Sequence, residues 1–469
     1  MDPFETQGSW WVPGKKRHHH ATGKFKYSPD EGGTLNVFGK RLEASDSLHV
    51  PALFGDTERG PATLFGCNFK GAAGRPESRH FSQDFTVDLI VLGCHTDIDF
   101  AVNHASVQVE NLDRWASIGK LDLLGEDVRK LLPNAGFGVY FQHEPDMWAT
   151  LGNGDKVLLS ALDSFFFGRN NATVAVKYQF DITFAQAKRI SEIREDYIVP
   201  LIDLLTVFTD TPSSLQSLTV SPPAGKRSAL HGPRFQPLDI GFQINRNESS
   251  RQIASESLYP VKFSEFSFRQ QLPLWFELAQ KLKGVHGLTF GLRYADNMSA
   301  ENRYLNSTTA AEALHRATFE SVRAKIDLKN DATRTWISQF PAEEQALIKT
   351  RLNQYINDPS LGDRLHGLIK KAGVAFDTLV PDPTEWVKLV KQVRNDLTHQ
   401  EGTPKVRVTS EEMYWLAESI AQLVTICILV DLGYAPTAID TQIVRSHRVQ
   451  ALIRQMARQF SKSAPTESG

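Results

Sequence analysis

Asp382-Pro383-Thr384-Glu385-Trp386-Val387-Lys388-Leu389-Val390-Lys391-Gln392-Val393-Arg394-Asn395-Asp396-Leu397-Thr398-His399 is the stretch that decides how the C-terminal part of this chain folds. Asp382 is a natural N-cap, Pro383 suits the first turn of a helix, and Glu385 stands three residues after the cap. Trp386, Leu389, Val390, Val393 and Leu397 then recur at helical spacing and make one apolar stripe. At about 100° per residue, Asn395 and His399 lie one turn apart on the opposite face, with Arg394 on the flank. The polar trio is turned away from its own core. A guanidinium can hold a phosphodiester and offset charge in its transition state, and an imidazole can move a proton near neutral pH. That pairing suits the cutting of RNA.

Spacing alone does not establish the site. In a chain with 14 His, an Arg-x4-His pair arises by chance about once. Arg75 and His80 have the same spacing, but they sit among glycines and a proline that read as a loop. A solvated surface is the competing reading for Arg394 and His399. Context comes from the next helix: Thr409-Ser410-Glu411-Glu412 is a capping box, and an apolar run follows from Met413 through Leu416, Ile420, Leu423, Val424, Cys427 and Val430 to a stop at Gly433. Two capped helices flanking Gly402-Pro404 predict a helical hairpin with a polar site at its corner.

The first three hundred residues have a different grain. Runs rich in Val, Phe and Thr (Phe85 to Leu92, Ala101 to Val109, Lys156 to Phe167, Ala172 to Phe184) are divided by Gly, Asn and Asp turns and predict antiparallel strands. Phe166 to Val176 reads as a hairpin. Helical patterning interrupts from Ala185 to Leu205 and again from Leu274 to Leu282, and Ser221 to Pro237 reads as an exposed basic loop. The domain boundary is placed near Tyr294 to Ser307, giving a β-rich domain over 1–299 and a helical one over 300–462. The fold class expected is α+β, with a largely antiparallel β N-terminal domain followed by an all-α bundle.

The formal net charge of −2 gives no global pull toward nucleic acid. Local patches would have to supply it. One is the terminal segment with Arg445, Arg448, Arg454, Arg458 and Lys462, whose stripe of Val449, Leu452, Ile453, Met456 and Phe460 equally describes a docked helix with a solvated basic face. Three cysteines, Cys67, Cys94 and Cys427, are too few and too scattered for a disulfide framework or a paired-cysteine zinc site. His18-His19-His20 reads as a basic loop, and Cys94-His95-Thr96-Asp97-Ile98-Asp99 as a strand-end turn. Trp10 and Trp11 fit either a core or a ligand surface. With no signal pattern and no membrane-spanning run, a cytoplasmic protein is expected, with no membrane partner, cofactor or metal.

The helical half resembles the HEPN superfamily, whose domains carry an Arg-x4-6-His motif, often with a polar residue after the Arg, the place of Asn395. Glu301-Asn302-Arg303-Tyr304-Leu305 leading into Ala310-Ala311-Glu312-Ala313-Leu314-His315-Arg316 looks like the opening helix of the ApeA-like branch. Gly8-Ser9-Trp10-Trp11-Val12-Pro13-Gly14 followed by Gly33-Thr34-Leu35 is similar to the start of the ApeA N-terminal domain. The resemblance implies an anti-phage abortive-infection protein: an N-terminal sensing or regulatory region, open to a phage-derived trigger, and a metal-independent HEPN endoribonuclease that works as a homodimer on RNA. Carried over, Arg394 would stabilise the phosphate, His399 would act on the attacking 2′-hydroxyl or the leaving oxygen, and Asn395 would orient them. Glu312 is a further candidate, with a solvated or capping glutamate as its alternative. The rival function is a non-catalytic RNA- or nucleotide-binding helical module.

Overall fold

The computed structural model describes residues 1–14, 20–29, 31–39, 41–42, 48–75, 80–97, 99–116, 121–123, 139–141, 147–167, 172–221, 238–242, 255–283, 286–295, 298–319, 328, 330–352, 359–399 and 407–461. The chain divides into two compact units, one comprising Met1–Glu256 with Val261–Glu277, the other Ser257–Pro260 with Leu278–Gly469.

In the first unit, six antiparallel strands close on themselves: β1 (Phe4–Trp11), β2 (Ala21–Ser28), β3 (Gly32–Phe38), β4 (His49–Thr57), β5 (Gly60–Ala73) and β6 (Ser82–Leu92). They pair in the order β6-β3-β2-β1-β4-β5, and β5 pairs back onto β6 to shut the barrel. Strand alternation supplies the interior: β2 reads buried at Ala21, Gly23, Phe25 and Tyr27, with Lys24 and Lys26 outside. Trp10 is fully buried and settles the two readings in favour of the core. Its indole lies so close to the neighbouring strands that a Cβ added at Gly55 would sit 2.3 Å from the ring and one at Gly23 2.9 Å. Both positions therefore exclude a side chain. Trp11, by contrast, is half-buried and stacks on His20 at 4.2 Å.

Strand β6 belongs to the barrel along its length and to a second sheet at its end. Its residues Ser82 to Val87 pair with β3, while Leu89 to Leu92 pair with β14 (Leu238–Phe242). From there the sheet continues through β13 (Leu215–Ser221), β7 (Ala101–Val109), β12 (Ala172–Arg189), β11 (Lys156–Phe167) and β10 (Met147–Thr150). The short pair β8 (Leu121–Leu123) and β9 (Val139–Phe141) stands apart from it. The expected hairpin is present as the β11–β12 pair, with Phe167 opposite Ala172. The loop read from Ser221 to Pro237 falls almost wholly outside the described residues.

One expectation is corrected. The helical pattern beginning at Ala185 is strand as far as Arg189, and the helix starts at Ile190. The β12–β7 register breaks between Thr183 and Lys188 and then resumes at Lys188 and Arg189. This bulge is held by the buried Asp155 carboxylate, which accepts the Ala185 N–H at 2.7 Å. Cross-strand pairing thus overrides a local helical pattern. Beyond a π-helical turn at Arg194–Ile198, helix α1 (Val199–Thr209) is buried on all sides from Pro200 to Thr209, the signature of a core helix. Phe208 at its end meets Trp115 and Phe266 at 5.5 and 5.1 Å between ring centroids.

The second unit is helical. Helix α2 (Ala300–Thr318) begins at the Ser299 cap, whose hydroxyl accepts the Asn302 N–H, and it contains the Glu301–Leu305 stretch read as an opening helix. The unit's longer helices further on are α3 (Leu361–Ala372), α4 (Pro383–His399), α5 (Ser410–Asp431) and α6 (His447–Ser461), with α5 packed on α2, α3 and α6. The Thr409–Glu412 capping box forms as read, and Gly433 ends the following turn at φ 90°. Among the described residues α5 is the one helix long and apolar enough to cross a membrane, but 78% of its apolar window is buried inside the protein. It is the core of this unit, and Cys427 lies fully buried in it. Helix α6 docks through Val449, Leu452 and Met456. Its Arg448 is not part of a solvated basic face, because it reaches inward to Glu418 and Gln422.

Candidate functional site

Asp382 caps α4 as expected, its carboxylate accepting the N–H groups of Thr384 and Glu385 at 3.0 Å each. The buried stripe is Trp386, Val387, Val390 and Val393, with Leu389 and Leu397 half-buried. Trp386 is anchored on α5, where its indole N–H donates to the Ser419 hydroxyl at 2.8 Å. With that face fixed, Arg394 emerges on the flank and Asn395 on the exposed face. His399 is the last residue of the helix; its side chain lies outside the described residues.

Two residues of α2 hold this end of α4. Tyr304 is fully buried, and its hydroxyl donates to the Val390 carbonyl at 2.5 Å. In an α-helix that carbonyl also receives the N–H of Arg394, four residues on. The tyrosine therefore braces the turn from which Arg394 projects. Burial pushes the Tyr304 phenol well above its ordinary value, which keeps it a proton donor. Glu312 lies 3.8 Å from the Arg394 guanidinium, its side chain 17% exposed against 38% for the arginine. It is neither a cap nor a freely solvated glutamate. The contact is an open, partly wet ion pair that leaves Arg394 accessible to an incoming anion.

His315, one turn beyond Glu312, is buried; its Nδ1 accepts from Arg364 of α3 at 3.4 Å, and its ring stacks on Phe319 at 4.2 Å. Arg364 and His315 make an arginine–histidine contact between residues 49 apart in sequence, which no local motif marks. Tyr304 lies 86 residues from Val390 in sequence. Only the packing of α2 on α4 discloses their contact.

The other sequence candidates fall elsewhere. Cys94 follows β6 in a turn tied down by Thr63, whose hydroxyl donates to the Cys94 carbonyl at 3.0 Å and accepts the Thr96 N–H at 3.1 Å. Burial pushes its thiol up to about 11, so it is a poor nucleophile at neutral pH. His18 and His19 lie outside the described residues, as do Gly402 to Pro404 and Lys462. Among the described residues no group of three or more His, Cys, Asp or Glu is placed to hold a metal ion.

A capped helix carrying an Arg-x4-His pair, embedded in a helical bundle that follows a β-barrel unit, defines a HEPN-type protein with an attached N-terminal domain. Comparison with known families agrees over most of the chain. A family model described as ApeA N-terminal domain 1 matches residues 5–267, and one described as Apea-like HEPN matches residues 305–437. The first alone spans more than half of the sequence, and the chain belongs to the ApeA-like HEPN proteins of anti-phage defence. Neither a search of curated proteins nor one of solved structures found a match.

Proposed function

We propose that this protein is a metal-independent endoribonuclease whose HEPN domain cleaves RNA as the effector step of abortive infection in the cytoplasm. The observation that carries the reading is Arg394: an accessible guanidinium on a rigid, capped helix, steadied from α2, with Asn395 beside it and His399 closing the same helix. Arg394 binds the scissile phosphate and offsets charge on the phosphorane. His399 moves the proton of the attacking 2′-hydroxyl or the leaving oxygen, and Asn395 orients the two. The products are a 2′,3′-cyclic phosphate and a free 5′-hydroxyl. One motif supplies one histidine, and two-fold pairing of the helical domains supplies a second for acid–base work on a single phosphodiester. The protein is therefore read as a homodimer through the α4–α5 region, with the N-terminal domain responding to a phage-derived trigger.

The test uses purified full-length protein and single-stranded RNA in the presence of a chelator, together with toxicity on overexpression in case the enzyme is held inactive until triggered. His399→Ala is expected to abolish cutting and toxicity while the fold survives. Retention of full activity by that variant would falsify the assignment and favour a non-catalytic RNA-binding module. A dimer whose two Arg394 side chains lie on opposite outer surfaces would count against the composite site.

A further inference from the structure

The outer face of the barrel carries a cavity of about 310 Å³, well separated in sequence from the HEPN residues. Its register is simple. Lys24 on β2 stands opposite Asn36 on β3, Asn36 opposite Asp84 on β6, and Asp84 opposite Gly71 on β5, so one row crosses four strands. The β5–β6 register slips between Phe69 and Gly71, which brings Lys70 to the rim of the cavity. A Cβ at Gly71 would meet nothing within 4 Å, so that side of the trough is open. Asn36 and Asp84 form the floor; Lys24 and Lys26 stand on one side and Lys70 on the other.

The floor is incompletely satisfied. Asn36 donates through Nδ2 to the Asp84 carboxylate, and this leaves its Oδ1 buried with no donor. Such an orphan acceptor costs about 1–3 kcal/mol; the exposed Asp84 carboxylate beside it is the acceptor that a ligand O–H can reach. On the rim, Glu5 pairs with both Lys24 and Lys26. Lys70 is exposed and has no carboxylate partner among the described residues. Three ammonium groups thus face two carboxylates, Glu5 and Asp84, with the surplus positive charge at Lys70. The site asks for an anion at the rim and hydroxyl donors at the floor. Two residues along β3 from Asn36, on the same outer face, Phe38 is 45% exposed. That is about 7 Å along the strand, and an open aromatic ring offers a stacking surface for a base.

We infer that this trough binds a ribonucleoside 5′-monophosphate, with the phosphate at Lys70, the ribose hydroxyls on the Asp84 carboxylate, and the base against Phe38. The volume stands at the low end of the range for small-molecule sites, about 300–1,000 Å³. It suits a mononucleotide and is too small for a folded partner. The inference is independent of the ribonuclease reading, because all of these residues belong to the N-terminal barrel.

The experiment is calorimetric titration of the full-length protein with the 5′-monophosphates of adenosine, cytidine, guanosine and uridine, each beside its nucleoside and beside ribose 5-phosphate. At least one monophosphate is expected to bind with a Kd of about 1 mM or tighter, and its nucleoside about tenfold or more weaker. Lys70→Glu and Phe38→Ala should each weaken that binding about tenfold while leaving the thermal transition in place, since both side chains are exposed. Absence of binding by all four, or affinity unchanged in Lys70→Glu, would overturn the site. Ribose 5-phosphate binding as tightly as the nucleotide, or an unchanged Phe38→Ala, would overturn the assignment of a nucleotide.

Discussion

Replacing Glu418 tests whether the helical unit is held by charge as well as by its apolar core. Glu418 is buried in the middle of α5, where Oε1 accepts from Arg303 of α2 at 3.0 Å and Oε2 from Arg448 of α6. Arg448 also donates to Gln422 at 2.9 Å, and Arg293 donates to Thr425 at 3.3 Å, so arginines from three other helical segments converge on α5. Glu418→Ala leaves Arg303, only 8% exposed, without its counter-ion. Removing one partner of a buried pair costs about 3–5 kcal/mol, a large share of a typical folding free energy of about 5–15 kcal/mol. Glu418→Gln keeps the shape and loses the charge, and is expected to cost about 1.5–3 kcal/mol. Burial alone would push the Glu418 carboxyl up, but Arg448, Arg293 and Arg303 outweigh it and hold it below the usual glutamate value of 4.5. Its contribution is therefore complete above about pH 4.5 and fades as the pH falls through the lower folded value. Because the chain has two units, a single global melt is ambiguous. Hydrogen exchange of the Ser410–Asp431 amides in urea reads the right element. Protection lowered by less than about 1 kcal/mol in Glu418→Ala would refute the reasoning and leave the network an ornament of packing.

Two further outcomes are expected. Arg394→Lys keeps the charge but loses the planar fork that can grip two phosphate oxygens, so RNA cleavage should fall at least about tenfold with an unchanged thermal transition; near wild-type cleavage would show that a point charge suffices. Gly55→Ala would place a methyl 2.3 Å from the Trp10 ring, and overpacking of this kind costs about 1–3 kcal/mol; quenching and loss of barrel protection should appear at lower urea than in wild type, and an unchanged midpoint would mean that the indole can shift.

Local patterns alone determined the helix Pro383–His399, its Asp382 cap, the Thr409 capping box, the Gly433 stop and the alternation of the β-rich half, because caps and periodicities act within a few residues. The same short-range logic placed Arg394 and Asn395 off the apolar stripe. It failed at Ala185, where partners more than eighty residues away in β7 and the Asp155 carboxylate thirty residues away impose a bulged strand on a helical pattern. It could not close the barrel either. That depends on β5 reaching β6 on both of its registers, and on glycines at 23 and 55 making room for Trp10. Tertiary structure alone also decided what surrounds the candidate site and the charges near it: Tyr304 and Glu312 approach Arg394 across more than eighty residues, Arg448 turns inward to Glu418, and Lys24, Asn36, Asp84 and Lys70 meet in one trough. Such meetings are set by the packing of distant elements, a quantity that no window of sequence contains.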